Sequence, residues 1–231
     1  MATYGGSNVV TDGLVLALDA ANPKSYPGSG TIWSDMSGNA NNGTLTNGPT
    51  FNSANGGSIV FDGTNDYAST PATTINESQT FSAWVSITAA TDFLAGIITQ
   101  HNYVATANFG INYLSSNKLA ASIGYTNGTR EFQTKTTTYV ATINTIFNVA
   151  LVYNSIENKI YWYINGSLDS SYILSLTPKF TNYAVGIGRW DAGYNDYYFN
   201  GKIYSTLIYN SALSNTEIAQ NYNAQKSRFN L

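Results

Sequence analysis

Short stretches of alternating apolar and polar residues, cut by Asn-Gly pairs, Gly-Gly pairs and Ser/Thr-rich breaks, recur along the whole chain. The clearest is Lys159-Ile-Tyr-Trp-Tyr-Ile164, where Ile160, Trp162 and Ile164 alternate with Tyr161 and Tyr163, the period of two that a strand imposes on its side chains. Asn165-Gly166 follows. That pair tolerates the positive φ of a two-residue hairpin turn, so Ser167 to Leu174 is expected to return antiparallel. Asn127-Gly128 predicts a second hairpin between Lys118 to Tyr125 and Arg130 to Thr137. Further strand-like runs are Leu14 to Asp19, Ser58 to Asp62, Thr80 to Thr88, Ala95 to Gln100, Phe109 to Leu114, Ile146 to Tyr153, Tyr183 to Gly188 and Tyr198 to Tyr209.

One segment follows a different rule. Ser214-Asn-Thr-Glu217 has the spacing of a capping box, with Leu213 and Ile218 at the staple positions, and predicts a single short helix from Asn215 to about Ala224. Between Ala20 and Phe51 the chain is rich in Pro, Gly, Ser and Asn, and only Ile32 to Trp33 and Gly43 to Leu45 look strand-like; this is a long structured loop. Residues 1–12 are Gly-rich and uncharged apart from Asp12, and read as an N-terminal arm: a mobile segment, or a docking tail with Tyr4 and Val9-Val10 as its anchor. The expected architecture is therefore all-β, one domain over 13–231 behind that arm. Many short strands that must each bury one face make a sandwich or a barrel.

Composition sharpens what such a domain can do. There is no cysteine and one histidine, which excludes a disulfide framework, a thiol nucleophile and a zinc site built from His and Cys. Ten basic against thirteen acidic residues leave no footprint for wrapping nucleic acid, and no stretch approaches the ~20 apolar residues of a membrane span. The start Met-Ala-Thr-Tyr-Gly-Gly lacks the basic and apolar regions of a signal peptide. Only 10% of residues are charged, so abundant Asn, Ser and Thr carry the solvation, a surface suited to hydroxyl-rich ligands and to packed protein assemblies.

Four stretches in order carry a family resemblance: Asp35-Met-Ser-Gly-Asn-Ala-Asn-Asn-Gly43; Ile59-Val-Phe-Asp-Gly-Thr-Asn-Asp-Tyr67; Phe147 to Tyr153 with Tyr163-Ile-Asn-Gly166; and Phe199 to Ile218. Together they resemble the laminin G-like branch of the concanavalin A-like lectin/glucanase superfamily. The opening Gly13 to Gly30, joined to the Asp35 motif, further resembles the version found in virion structural proteins of tailed, particularly marine, phages. The resemblance implies a jelly roll of two antiparallel sheets with the helix beside them, and Trp84 and Trp162 as core residues. It also implies a capsid-decoration, tail or fibre module on the virion surface, assembled in the host cytoplasm. Its partners would be capsid or tail proteins, copies of itself and cell-surface glycans.

Part of that superfamily hydrolyses glycans with Glu-x-Asp-x-(x)-Glu on one strand; none of Glu77, Glu131, Glu157 and Glu217 begins that spacing, so no enzyme is expected. A freestanding carbohydrate-binding lectin, and more remotely a degenerate glycoside hydrolase, are the other readings. Relatives often bind calcium at the sandwich rim. Here Asp35, Ser37 and Asn39 on one loop and Asp62 and Asp66 on another supply the hard oxygens calcium prefers, although Asx side chains also cap tight turns. For a sugar, Trp190, Tyr194 and Tyr197 offer ring faces beside Asp191, Asn195 and Asp196, with His101, Asn102 and Tyr103 as a second cluster; the same aromatics would equally suit a protein interface.

Overall fold

The period-two runs become strands of two packed antiparallel sheets in a computed structural model that describes residues 8–73, 77–91, 93–102, 107–131, 133–190 and 197–231, without the side chains of residues 101, 102, 107 and 108. In the first half, the strands are β1 (Leu14–Asp19), β2 (Ile32–Trp33), β3 (Gly43–Thr46), β4 (Thr50–Asn52), β5 (Ser58–Asp62), β6 (Tyr67–Thr73), β7 (Gln79–Ile87), β8 (Leu94–Asn102) and β9 (Ala107–Leu114). There follow β10 (Lys118–Gly124), β11 (Arg130–Glu131), β12 (Thr136–Val140), β13 (Ile146–Asn154), β14 (Lys159–Ile164), β15 (Ser167–Ile173), β16 (Tyr183–Ile187), β17 (Arg189–Trp190), β18 (Tyr197–Tyr198) and β19 (Asn200–Tyr209). Helix α1 (Asn215–Gln225) closes the chain with a 3-10 turn at Lys226–Phe229.

One sheet runs β15-β14-β13-β7-β19-β5-β4, with β1 also on β19; the other runs β11-β10-β9-β8-β16-β6-β3-β2, with β12 also on β10. Their facing sides share one core. Phe81, Val85, Phe147, Leu151 and Trp162 from the first sheet meet Ile98, Phe109, Ile111, Leu119 and Ile187 from the second, all with at most 1% of their surface exposed. Phe81 and Phe109 meet edge to face across the gap, centroids 5.2 Å apart, a geometry favoured by the ring quadrupoles. Trp162 belongs to this core as expected, whereas Trp84 points the other way. It stacks on Phe229 and Tyr222 at 4.4 and 5.4 Å, so it fixes the C-terminal turn and helix to the back of the first sheet.

The helix is capped as its sequence dictates: Ser214 Oγ accepts from the Glu217 N–H, and Glu217 Oε2 accepts from the Ser214 N–H. Leu213 and Ile218 are buried in one cluster. That cluster also holds Val9 and Val10, which corrects the picture of a free arm up to residue 12. The stretch from residue 8 onward lies on the domain's own helix; residues 1–7, Tyr4 included, lie outside the described residues. Asn165 and Gly166 take φ of 50° and 76°, the turn their pair predicted. The return of the second hairpin is split into β11 and β12, both paired to β10.

A candidate ligand site on the second sheet

At the end of β16, Gly188 takes φ of 79°, and a Cβ there would stand 2.5 Å from the Phe61 ring. Glycine is needed on both counts, and it turns the chain out of the second sheet into the ribbon β17–β18. The ribbon crosses directly over Gly96 of β8, where a Cβ would lie 2.2 Å from the Arg189 carbonyl. Thr99 Oγ1 donates to that carbonyl at 2.9 Å, and Phe199 N donates back to Gly188 O at 2.9 Å, closing the base.

Trp190 is the anchor of the ribbon. Only 8% exposed, it packs with Leu94, Leu114 and Ala120 on the outer side of β8, β9 and β10 and donates through Nε1 to Ser122 Oγ at 3.1 Å. It is thus a buried pin and not the open ring face foreseen for a sugar, because its indole covers outward positions that are all small or apolar. Tyr197, half-buried, stacks obliquely on Trp190 at 5.7 Å and on Phe93 at 5.4 Å; Phe93 is 39% exposed. Beside Tyr198 lies an open cleft of about 180 Å³ lined by Gly63, Thr91, Tyr198 and Asn200. That is below the ~300 Å³ at which drug-sized pockets begin, and suits one ring. Phe93 went unnoticed in the sequence because a single aromatic ahead of a strand carries no distinguishing pattern. Asp191, Tyr194, Asn195, Asp196 and Tyr103 lie outside the described residues, as do the side chains of His101 and Asn102.

The two loops considered for calcium are not brought together. Ala17, which hydrogen-bonds Asp35, faces Leu207 on β19, while Asp62 faces Asn200; positions 200 and 207 are roughly 23 Å apart along a strand. Asp35 is moreover surrounded by donors. Its Oδ1 accepts from the N–H of Ala17 and of Ser37, each at 2.9 Å, and its Oδ2 from Ser37 Oγ at 2.7 Å and Asn41 N at 3.0 Å. Ser37 Oγ in turn accepts from Asn39 N, and Asn39 Nδ2 reaches Leu14 O. This is a turn stapled to β1, the second use of Asx side chains. Asp62 caps its own turn through Thr64 N at 2.7 Å, a bond that holds its carboxyl below the usual range, whereas burial pushes Asp66 up. Among the described residues, no three His, Asp or Glu side chains converge.

Three of the glutamates are likewise engaged. Glu131 accepts from Tyr125 Oη at 2.9 Å with Lys135 at 3.6 Å, Glu157 from Tyr161 and Asn154, and Glu217 caps the helix. No helix among the described residues is long and apolar enough to cross a membrane.

Residues 62–219 match the family model described as concanavalin A-like lectin/glucanases superfamily, laminin G type. No curated protein matches the sequence. Among solved structures, the receptor binding domain of botulinum neurotoxin C/D mosaic serotype aligns with TM-score 0.73 at 17% identity, over 94% of this chain and 52% of that one. The botulinum neurotoxin serotype D ligand binding domain in complex with N-acetylneuraminic acid gives 0.71 at 17%, with the same coverage. A mutant of Trypanosoma rangeli sialidase displaying trans-sialidase activity gives 0.65 at 15%, over 96% and 35%. The chain spans about half the length of the neurotoxin domains it matches.

Proposed function

Because the chain belongs to the concanavalin A-like lectin/glucanases superfamily, we propose that it is a non-enzymatic binding module that takes one sugar ring at a time on the ribbon side of its second sheet. The observation that carries this reading is the Phe93–Tyr197 pair, partly exposed and resting on buried Trp190 on the outer side of the sheet; the cleft at Tyr198, with Thr91 and Asn200 on its walls, is a separate open space for polar groups. Ring faces for C–H groups and short polar side chains for hydroxyls are what sugar recognition asks for. The neurotoxin domain seen with N-acetylneuraminic acid supports the same direction by likeness of fold. Absence of catalysis is supported by the engagement of Glu131, Glu157 and Glu217 in structural bonds.

A site this open buries little of a ligand, so useful attachment comes from many linked copies. That requirement fits the finer reading: a decoration, tail or fibre component of a virus particle, which the opening Gly13 to Gly30 with the Asp35 motif supports by resemblance. A freestanding lectin would use the same site. Calcium has no part in this reading. The test is retention of the multivalently displayed protein on an array of neutral and acidic glycans, with Phe93→Ala and Tyr197→Ala alongside. Retention by the native chain and loss in both variants is expected; retention that both variants keep, or none at all, would overturn it. Recovery of the chain from purified particles by mass spectrometry decides between the virion and freestanding forms.

A further inference from the structure

The ribbon covers only half of the second sheet's outer side. Toward β16, β6 and β3 that side stays open, and the paired residues Gly186, Ser69 and Thr44 run across it, with Tyr67 facing Thr46 one step along. All point outward, since Leu45, Ala68 and Ile187 between them belong to the core. At the border between the covered and open halves stands Arg189. Its side chain passes over Gly186, and its guanidinium carbon sits 3.8 Å from the centre of the Tyr67 ring.

An arginine in a fold normally finds an acceptor. Arg228 here bonds Asp19 at 2.7 Å together with the Asn55 and Gly57 carbonyls. Arg189 has no ion pair and no side-chain hydrogen bond among the described residues, and its guanidinium rests on the Tyr67 ring. Stacking on a ring fixes a planar guanidinium without using any of its five N–H donors, and none of the described residues takes them up. The hydroxyls of Thr44, Thr46 and Ser69 around it also make no hydrogen bond to the protein among the described residues. A preset fork for a planar anion, ringed by unused hydroxyls on a shallow floor, is the complement of a sugar that carries a carboxylate.

We propose that Arg189, stacked on Tyr67, receives the carboxylate of an acidic saccharide on the open half of the second sheet, with Thr44, Thr46 and Ser69 meeting its hydroxyls. This names the ligand class and rests on the glycan-binding reading above. A chain of net charge −3 repels anions at long range, so the selectivity arises at this contact.

The experiment compares 3′-sialyllactose with lactose by calorimetric or NMR titration at two salt concentrations, the two probes differing by one carboxylated ring. The native protein should prefer sialyllactose by about tenfold or more, the preference shrinking as salt rises. Arg189→Gln should bring the ratio to about one. Arg189→Lys, which keeps the stem and charge and serves if the first variant fails to fold, should lose most of it because a point charge cannot form the fork. Equal binding of both sugars by the native protein, or a preference that survives both variants, would overturn the acidic-sugar assignment and leave the glycan reading standing. No binding of either probe would overturn this assignment too, while the array result judges the broader reading on its own.

Discussion

The backbone N–H of Val10 donates to Asn221 Oδ1 at 2.8 Å, joining the segment before β1 to the last helix across 211 positions of sequence. Tyr209 completes a closed circuit: its hydroxyl donates to Val10 O at 3.0 Å and accepts from Asn221 Nδ2 at 3.0 Å, all three groups buried. Gln220 Nε2 adds a bond to Asn8 O at 2.8 Å. Burial also pushes the Tyr209 hydroxyl's pKa well above its usual range, so it stays a donor at every physiological pH.

Breaking the circuit should therefore destabilise the domain. Tyr209→Phe leaves Val10 O and Asn221 Nδ2 buried without partners, at a cost of about 1–3 kcal/mol. Deleting residues 2–11 removes Val9 and Val10 as well and should cost on the order of 3 kcal/mol or more. Chemical denaturation checks both, and an undiminished midpoint in the deletion variant would show that the segment is not part of the fold.

Asp35 leads to a prediction about metal. With four donors on its two oxygens, it holds the turn to β1 and offers no lone pairs to an ion. Melting curves with millimolar calcium and with chelator should coincide, while Asp35→Ala should cost ~2–3 kcal/mol in either. A chelator-induced drop in melting temperature would show that an ion does bind.

The strands with apolar alternation, the Asn165-Gly166 turn and the capped helix were all legible in the sequence because each is decided within a few residues. β6 was not. Tyr67-Ala-Ser-Thr-Pro-Ala-Thr73 has small polar residues where strands carry bulky ones, and a proline inside a central strand argues against it. The structure accommodates Pro71 in a register shift between the Ala72–Ala184 and Ser69–Gly186 pairs, where Thr70 Oγ1 accepts from the Val185 N–H in place of a ladder bond. The site was half legible for a similar reason. The aromatic-rich run announced itself, but that Trp190 is buried and Arg189 stacked depends on Gly96 and Tyr67, more than ninety positions away.

Asp169 gives the domain a pH signature. Burial pushes its carboxyl up, but bonds from Thr138 Oγ1 and N–H, Ser170 Oγ and the Tyr139 N–H outweigh this and hold it below the ordinary 3.8. A carboxyl depressed by folding stabilises the fold above its unfolded value and loses that contribution as pH falls through its folded value. Asp169→Asn should thus cost about 1–2 kcal/mol at neutral pH, and the difference from the native protein should close as pH drops below 3.8. A gap that persists to pH 2 would mean that the bonds do not depend on the charge.

The ribbon's position hangs on Gly96. Adding a methyl there puts carbon 2.2 Å from the Arg189 carbonyl carbon and oxygen and 2.4 Å from Trp190 N, contacts that only a shift of backbone can relieve. Gly186→Ala is the matched control, since its new methyl would meet Thr99 Oγ1 at 3.4 Å and Arg189 at 3.5 Å, ordinary van der Waals distances. Gly96→Ala should lift β17 from the sheet, cost about 1–3 kcal/mol and draw Trp190 off Ser122. Trp33, Trp84 and Trp162 are at most 1% exposed, so a red shift of tryptophan emission reports Trp190. Glycan retention should fall with it, because Tyr197 and Arg189 ride on the same ribbon. Unchanged emission and retention in Gly96→Ala would mean that the sheet yields instead of the ribbon, and that the site's geometry does not depend on this crossing.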